Sequence, residues 1–335
     1  MRRLTRVALV MTSLVILAGS VVRMTGSGMG CPDWPKCFGL LIPPTEETQV
    51  TWNSGDHYAP GRMLIAHDTL WVAQSEIIAS DFLKEREEGQ WLPYTKHDYA
   101  TFNAVHTWVE FINRLIGALT GFPAIILFIL AGMHGWRLGK WNSFVWTMIH
   151  LFLLGLVAWM GKKVVDGNLI PFSITLHMLG AMAILMALLM VLRENSEPNL
   201  TPVTGRMRGW MILSGGILLA QIVLGTQVRE VIDTFVHQGL ERSDWLSSLP
   251  SWWKIHRSGS WAVVISQLAW ILPLYRKSDG RSWEAFGAMG LIGVQMLLGV
   301  AFSFLKMPPW TQPLHLLAAM GLFMVNYWVL VQRRV

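Results

Sequence analysis

Charged side chains are scarce in this sequence. They make up 14% of its 335 residues, whereas ordinary soluble domains carry about 25%. Cysteine is scarcer still, with two residues, which is too few for a disulfide-stapled secreted domain. These shortages exclude a disordered chain and a nucleic-acid-binding module, and they argue against a soluble enzyme. Apolar side chains are abundant instead, at 53% with 18 Trp, so the lipid bilayer is the expected partner.

Eight apolar stretches have about the 20 residues that a membrane-spanning helix needs. They are Leu4–Val22, His106–Ala131, Phe144–Met160, Ser173–Leu192, Trp210–Val228, Trp253–Leu274, Trp283–Phe304 and Pro313–Val331. The first is predicted to be an uncleaved anchor, because no small-residue cleavage site follows it before Arg23. Lys and Arg are concentrated in the loops after the even-numbered stretches, which predicts a multi-pass protein of the cell (inner) membrane with both termini cytoplasmic.

One segment between these stretches is long and polar. Residues 23–105, called the long polar segment here, are predicted to form a cap on the outer face. Its beginning is rich in Gly and Pro and predicts irregular structure, whereas Asp68–Glu88 predicts one or two amphipathic helices. Cys31 and Cys37 lie in the irregular part. An oxidising compartment permits a disulfide between them, either as a loop staple or as a reducible bond that passes electrons.

The sequence repeats itself at long range. Leu176–Met182 matches Leu314–Met320 at five of seven positions, and Asn113–Arg114 in the second stretch corresponds to His256–Arg257 in the sixth. Corresponding stretches cross the membrane in the same direction, so the repeat is parallel. It predicts an all-α membrane protein of eight helices in two pseudo-symmetric four-helix bundles. The predicted halves are residues 1–200 and 201–335.

The few intramembrane polar groups lie at one depth near the outer surface. His177, His256 and His315 are each about one turn from the outer start of their stretch, and Glu110–Arg114 lies one to two turns into the second stretch. Such groups are costly and usually face a bundle interior. Facing imidazoles in a four-helix bundle are typical of bis-histidine haem ligation. We therefore expect His256 and His315 to bind one haem; hydrogen-bonded interior histidines are the alternative.

The first half has a less complete ligand set. His177 faces Asn113, whose amide is a poor iron ligand, and His106 lies two turns up the same helix face as a substitute. Arg114 and Arg257 have two interpretations: they pair with haem propionates, or they are helix-end side chains that reach toward the interface.

Glu110 is the one carboxylate among these intramembrane polar groups. A buried carboxylate is suited to accept or donate a proton during catalysis. The alternative is a structural ion pair with Arg114, four residues further along the helix. The two roles are compatible.

These motifs resemble those of the heme A synthase family. The resemblance rests on Gly26–Gly39 with its two cysteines, Glu110-x-x-Asn113-Arg114, His177, His256-Arg257 and His315, in the same order and over nearly the whole chain. It implies a haem b held by His256 and His315, with haem O as the substrate near His177 and Glu110. It also implies oxidation of the C8 methyl group of haem O to a formyl group, by successive hydroxylations, which yields haem A for cytochrome c oxidase. The Cys31/Cys37 pair matches one type within the family.

The sequence departs from the family pattern at one position, because Asn113 stands where that pattern has a histidine. His177 is then the single first-half ligand, or His106 completes the pair. The implied partners are a haem O synthase that delivers the substrate and an unidentified electron acceptor; a homo-oligomer stays open. The alternative function is a non-catalytic diheme cytochrome that carries electrons between quinol and an outer-face partner.

Overall fold

Long helices dominate the computed structural model, which describes residues 1–95, 101–166, 172–197 and 202–333. The helices are α1 (Arg2–Thr25), α2 (Phe82–Glu87), α3 (Ala104–Leu138), α4 (Asn142–Asp166), α5 (Ser173–Glu194), α6 (Gly205–His237), α7 (Trp245–Ser248), α8 (Trp253–Lys277), α9 (Trp283–Phe304) and α10 (Thr311–Gln332). Two short 3-10 helices, Glu47–Val50 and Arg242–Asp244, complete the helical elements of these ranges.

Seven helices within the described ranges are long and apolar enough to cross a membrane, namely α1, α3, α4, α5, α6, α9 and α10. The chain is therefore a mainly helical, multi-pass membrane protein, as the composition predicts. The predicted sixth stretch does form a helix, α8, of 25 residues. Its charged first turn, its serines and Gln267 leave it less apolar than the others, so the predicted count of eight spanning helices is not confirmed.

Four of the long helices pack in a ring. Helix α6 contacts α8, α8 contacts α9, α9 contacts α10, and α10 returns to α6. The ring closes around large side chains that are fully shielded, among them Trp270, Leu274, Met211 and Leu322. Helix α5 packs against α6 and α10. In water, burial of apolar surface stabilises a fold by about 25 cal/mol per Å². Lipid is itself apolar, so inside the bilayer van der Waals packing and interhelical hydrogen bonds contribute more to helix association.

Helix α3 is much longer than a bilayer requires. Its 35 residues extend about 52 Å at 1.5 Å per residue, whereas the hydrocarbon core is about 30 Å thick. Residues 115–136 contain no Asp, Glu, Lys or Arg, and Arg114 and Arg137 flank them. This apolar part matches the hydrocarbon thickness, so the turns from Ala104 to Arg114 project beyond it.

The long polar segment contains strands where a helix was predicted. Antiparallel β2 (Met63–Ala66), β3 (Thr69–Ala73) and β5 (Trp91–Pro93) form one sheet, and β1 (His57–Tyr58) pairs with β4 (Ile77–Ile78). The prediction of amphipathic helices over Asp68–Glu88 is thus wrong except at α2, which Asp81 caps through the Leu83 and Lys84 amides.

A two-residue turn explains this outcome. His67 and Asp68 both adopt positive φ, at 50° and 54°, which matches the right-handed twist of a tight hairpin. The Thr, Trp and Val of β3 favour strands. Residues 26–46, by contrast, contain turns and one isolated bridge between Cys37 and Leu40, as predicted.

A buried carboxylate organises the core of this segment. Glu85 is 4% exposed and accepts hydrogen bonds from the indole nitrogens of Trp52 and Trp91, each at 3.1 Å. The amide of Ser80 also donates to it at 2.6 Å. Burial alone raises the pKa of Glu85, but these donors outweigh it, so the pKa lies below its ordinary value. The rings of Tyr58 and Phe82 pack around Trp91.

The chain forms two compact units. One comprises Met1–Leu17, Leu119–Val157 and Pro171–Val335, and the other comprises Ala18–Ala118 and Ala158–Ile170. The predicted boundary at residues 200 and 201 lies outside the described residues, and the two pseudo-symmetric halves stay a prediction.

Candidate functional site

Two histidine rings meet between α8 and α10. His256 is in the first turn of α8 and His315 in the second turn of α10, and their ring centroids are 6.4 Å apart at an interplanar angle of 74°. The Nδ1 atom of each ring is buried, and neither has a hydrogen-bond partner among the described residues. A buried polar atom without a partner is costly. The His256 ring also has a hydrogen bond with the backbone of Gln221.

The spacing of the two rings is compatible with one metal ion between them. Metal bonds to imidazole nitrogen are about 2.0–2.1 Å long, so two imidazoles on opposite sides of one ion have ring centres about 6 Å apart. The described part of the chain contains no group of three or more His, Cys, Asp or Glu side chains that could hold a metal ion. Two imidazoles at this spacing fit an iron porphyrin.

Neighbouring helices hold both rings in place. A side chain at Gly225 of α6 would come within 3.1 Å of the His256 ring, so glycine leaves the room that the imidazole occupies. Gln295 of α9 donates from Nε2 to the carbonyl oxygen of His315 at 2.7 Å. The ring of Phe302 lies edge-on to His315 at 5.1 Å. Helices α6 and α9 thus constrain where α8 and α10 present their ligands.

Arg257 does not point into the bundle. It is exposed, and its guanidinium lies 4.9 Å from the ring centre of Trp253, a cation–π distance. Its contact with a haem propionate stays a prediction.

Glu110 and Arg114 form a buried ion pair, and both are engaged by the long polar segment. Arg114 Nη2 donates to Glu110 Oε1 and to the Cys31 carbonyl, and Arg114 Nη1 donates to the carbonyls of Asp33 and Lys36. The second carboxylate oxygen of Glu110 accepts from the Cys31 amide at 2.9 Å. The side chains are 12% and 4% exposed for Arg114 and Glu110. Arg114 therefore fastens a loop to α3.

The fastened loop is the one closed by the two cysteines. Cys31 and Cys37 form a disulfide, as predicted. Thr107 Oγ1 donates to the Gly30 carbonyl at 2.8 Å. A Cβ at Gly30 would lie 2.3 Å from the His106 carbonyl, so only glycine permits this approach. Thus α3 holds the loop from its first turn down to Arg114.

Asp33 adds a second buried carboxylate within this loop. Its Oδ2 accepts from the Gly39 amide at 2.9 Å, while Oδ1 is buried without a partner among the described residues. Burial is the largest influence on the pKa of Asp33 and raises it above its ordinary value, despite the nearby charge of Arg114.

The remaining predicted residues lie on α3 and α5. His106 is half-buried in the first turn of α3, and its backbone N–H donates to Asn103 Oδ1 at 3.1 Å. Asn113 has a buried Oδ1 without a partner among the described residues, and a Cβ at Gly19 of α1 would be 3.7 Å from it. His177 lies half-buried in the second turn of α5. Their predicted roles toward haem O stay predictions.

A buried polar layer in the ring of helices was not predicted. Asn326 Nδ2 donates to Ser214 Oγ at 2.8 Å and to Gln267 Oε1 at 3.3 Å. Gln267 and Asn326 each follow the histidine of their helix by 11 residues, which is about three turns on the same face. That spacing is the sequence signal that could have revealed the layer.

A second unpredicted group is the imidazole of His150. It is 1% exposed in the interior of α4, and both its nitrogens lack partners among the described residues.

The fold and the imidazole pair define a multi-pass helical membrane protein with a candidate metal centre inside a helix bundle. The chain belongs to the cytochrome oxidase assembly protein family (COX15-CtaA), whose sequence pattern matches residues 2–70 and 73–326. This confirms the family-level resemblance seen in the motifs.

Proteins named heme A synthase are among its relatives. One from Shewanella oneidensis is 26% identical over 232 residues, which cover 66% of this chain and 54% of that protein. Another from Sphingopyxis alaskensis is 24% identical over 335 residues, covering 90% and 83%. A third, from Methylobacterium radiotolerans, is 24% identical over 344 residues, covering 92% and 83%.

Proposed function

We propose that the protein is a heme A synthase, an oxidoreductase that converts the C8 methyl group of haem O to the formyl group of haem A. The observation that carries the proposal is the family match over residues 2–70 and 73–326, together with relatives that bear this name over most of the chain. The intramembrane imidazole pair supports it, because oxidation of a methyl group in a chain without flavin or nicotinamide motifs requires a redox-active metal.

We assign haem b to the pair in the ring of helices. His256 and His315 would hold the iron, and Gln295 and Phe302 would position His315. When bound, haem b supplies an iron that can accept an electron and pass it on. The exposed Arg257 would meet a propionate at the edge of the bundle.

We assign the substrate to the first half of the chain. His177 would bind haem O, with Asn113, Arg114 and His106 near it. Asn113 replaces a stronger ligand, so the iron of the substrate would keep a weakly held position, which suits a molecule that must enter and leave. Glu110 would accept a proton as the methyl carbon is oxidised, and its contacts with Arg114 and the Cys31 amide hold its carboxylate still.

The membrane setting completes the proposal. The Lys/Arg distribution supports cytoplasmic termini and an inner-membrane location. Haem O would then arrive from a haem O synthase within the same bilayer, and an unidentified acceptor would take up the electrons.

Co-expression with a haem O supply tests the function directly. Haems extracted from the membranes and separated by chromatography should contain haem A or hydroxylated haem O only when this chain is present. An unchanged haem O peak with haem b bound to the protein would favour the electron-carrier alternative and contradict synthesis.

A further inference from the structure

A pair of large apolar side chains protrudes from the long polar segment. Leu41 and Ile42 are 77% and 72% exposed, whereas the next two residues, Pro43 and Pro44, are buried. The chain therefore packs through its two prolines here and presents Leu41 and Ile42 outward. Adjacent exposed side chains of this size are unusual on a surface that faces only water.

Two contacts with α3 set the height of these residues relative to the membrane. On one side, Leu40 pairs with Cys37 in an isolated antiparallel β-bridge. The residue before Cys37 is Lys36, and its carbonyl accepts a hydrogen bond from Arg114. On the other side, the indole nitrogen of Trp108 donates to the Pro44 carbonyl at 3.1 Å. Leu41 and Ile42 thus lie in the chain between the contact with Arg114 and the contact with Trp108, which places them near the α3 turns that these two residues span.

That level is the membrane interface. The uncharged part of α3 begins immediately after Arg114, and its length matches the hydrocarbon core. The turns between Trp108 and Arg114 therefore pass through the headgroup region, where Trp side chains are enriched.

The apolar pair also continues a lipid-facing surface. Ile112 and Leu115 follow Trp108 at helical spacings of four and seven, which place all three on one face of α3. Both are 46% exposed, as expected for side chains that contact lipid. The hydrogen bond from Trp108 to Pro44 joins the loop to this face. Leu41 and Ile42 therefore lie beside the apolar face of α3 and enlarge the apolar surface at the interface.

The loop that carries the pair is firmly held. The disulfide, Phe38 and Val50 form a buried cluster that packs against Phe111 of α3. A fixed support means that little conformational entropy is lost when the two side chains enter lipid.

We propose that Leu41 and Ile42 insert into the adjacent membrane leaflet and anchor the disulfide loop to the lipid surface. The anchor keeps the loop that fastens Glu110 and Arg114 at a fixed depth. The occupant of this surface is lipid, because the pair is continuous with the lipid-exposed face of a spanning helix. The inference does not depend on the proposed enzymatic reaction.

Site-directed spin labelling in bilayer nanodiscs tests the proposal on the full chain. Both native cysteines are paired in the disulfide, so a label attaches to an introduced thiol. Ile42→Cys and Leu41→Cys are the test variants. Ile78→Cys is the matched control, because Ile78 is 73% exposed and lies near the exposed His57–Glu76 ion pair.

Labels at 41 and 42 should collide freely with oxygen, which partitions into lipid, and poorly with a water-soluble nickel chelate. The label at 78 should show the reverse order, so that the oxygen-to-nickel ratio differs several-fold between positions 42 and 78. Equal nickel accessibility at 42 and 78 would overturn the proposal. Low accessibility of 42 to both reagents would also overturn it, because a protein surface would then cover the pair.

Discussion

The imidazole pair in the ring of helices and the ion pair on α3 differ in whether their buried polar atoms have hydrogen-bond partners. His256 and His315 each present a buried nitrogen with no partner among the described residues, although Gln295 and Phe302 constrain the backbone and the ring of His315. Glu110 and Arg114 are saturated by each other and by a loop that is distant in sequence. The unpartnered imidazole nitrogens are available to a ligand, whereas the saturated ion pair holds two parts of the chain together.

The comparison changes how the motif around Glu110 is understood. The predicted propionate role of Arg114 competes with four hydrogen bonds that the guanidinium already makes. The carboxylate of Glu110, in turn, is held in one orientation by Cys31 and Arg114. Any catalytic role of Glu110 therefore depends on the disulfide loop, and the following predictions separate that role from the structural one.

The largest effect is expected for Glu110→Gln. The amide can still accept from the Cys31 amide but cannot take up a proton, so haem A formation should fall by about 10²-fold or more. Chromatography of extracted haems measures the product, and the haem content of the purified protein reports whether the fold is intact. Glu110→Asp, which keeps the carboxylate, should retain more activity. Normal haem A formation by the Gln variant would contradict the proton role.

Arg114→Gln should have the next largest effect, on stability. It leaves the Glu110 carboxylate buried without its opposite charge, a loss that costs about 3–5 kcal/mol for buried pairs. The double variant with Glu110→Gln should be less destabilised than the single one, because no uncompensated charge remains. Thermal unfolding in detergent compares the three proteins. A cost below about 1 kcal/mol for Arg114→Gln, as at an exposed pair, would show that the loop is not fastened in this way.

Acid should lower the folding stability of the long polar segment, because it protonates Glu85. Its folded pKa lies below the ordinary value of 4.5, so the ionised carboxylate stabilises the folded segment above the unfolded pKa. This contribution is lost as the pH falls from near 4.5 through the lower folded pKa. Hydrogen exchange of the amides of β2 and β3 should show falling protection over this range. Glu85→Gln should be less protected at neutral pH and should lack this acid-dependent loss; an unchanged pH profile would exclude Glu85 as its origin.

The smallest effect is expected for Gln295→Leu. An interhelical hydrogen bond within a membrane contributes about 0.6 kcal/mol on average, so the protein should fold and bind haem. The loss of the contact with the His315 carbonyl should nevertheless change the orientation of the ring, which shifts the redox midpoint of bound haem. Val294→Leu, at the neighbouring lipid-exposed position, should leave the midpoint unchanged. Equal midpoints in both variants would remove the positioning role of Gln295.

The helices and the site residues differ in how far the sequence predicts them. Hydropathy reveals the spanning helices because lipid requires uninterrupted apolar stretches, but α8 is too polar for the same criterion despite its length. The hairpin of β2 and β3 escaped prediction because its turn is formed by His67 and Asp68 rather than by Asn-Gly or Asp-Gly.

The sequence also does not predict the hydrogen-bond partners of Arg114. They lie about 80 residues earlier in the chain, and helical periodicity carries no information on contacts of that range. The sequence could place Glu110 and Arg114 on one helix at a spacing of four, which the structure bears out, but not the loop carbonyls that complete the arrangement.

The central claim is that the second-half imidazoles are iron ligands, and electron paramagnetic resonance of the purified, oxidised protein tests it most directly. The low-spin signal of bis-imidazole haem should persist in His177→Ala and disappear in both His256→Ala and His315→Ala. Retention of that signal in either of the last two variants, with the protein folded, would contradict the assignment.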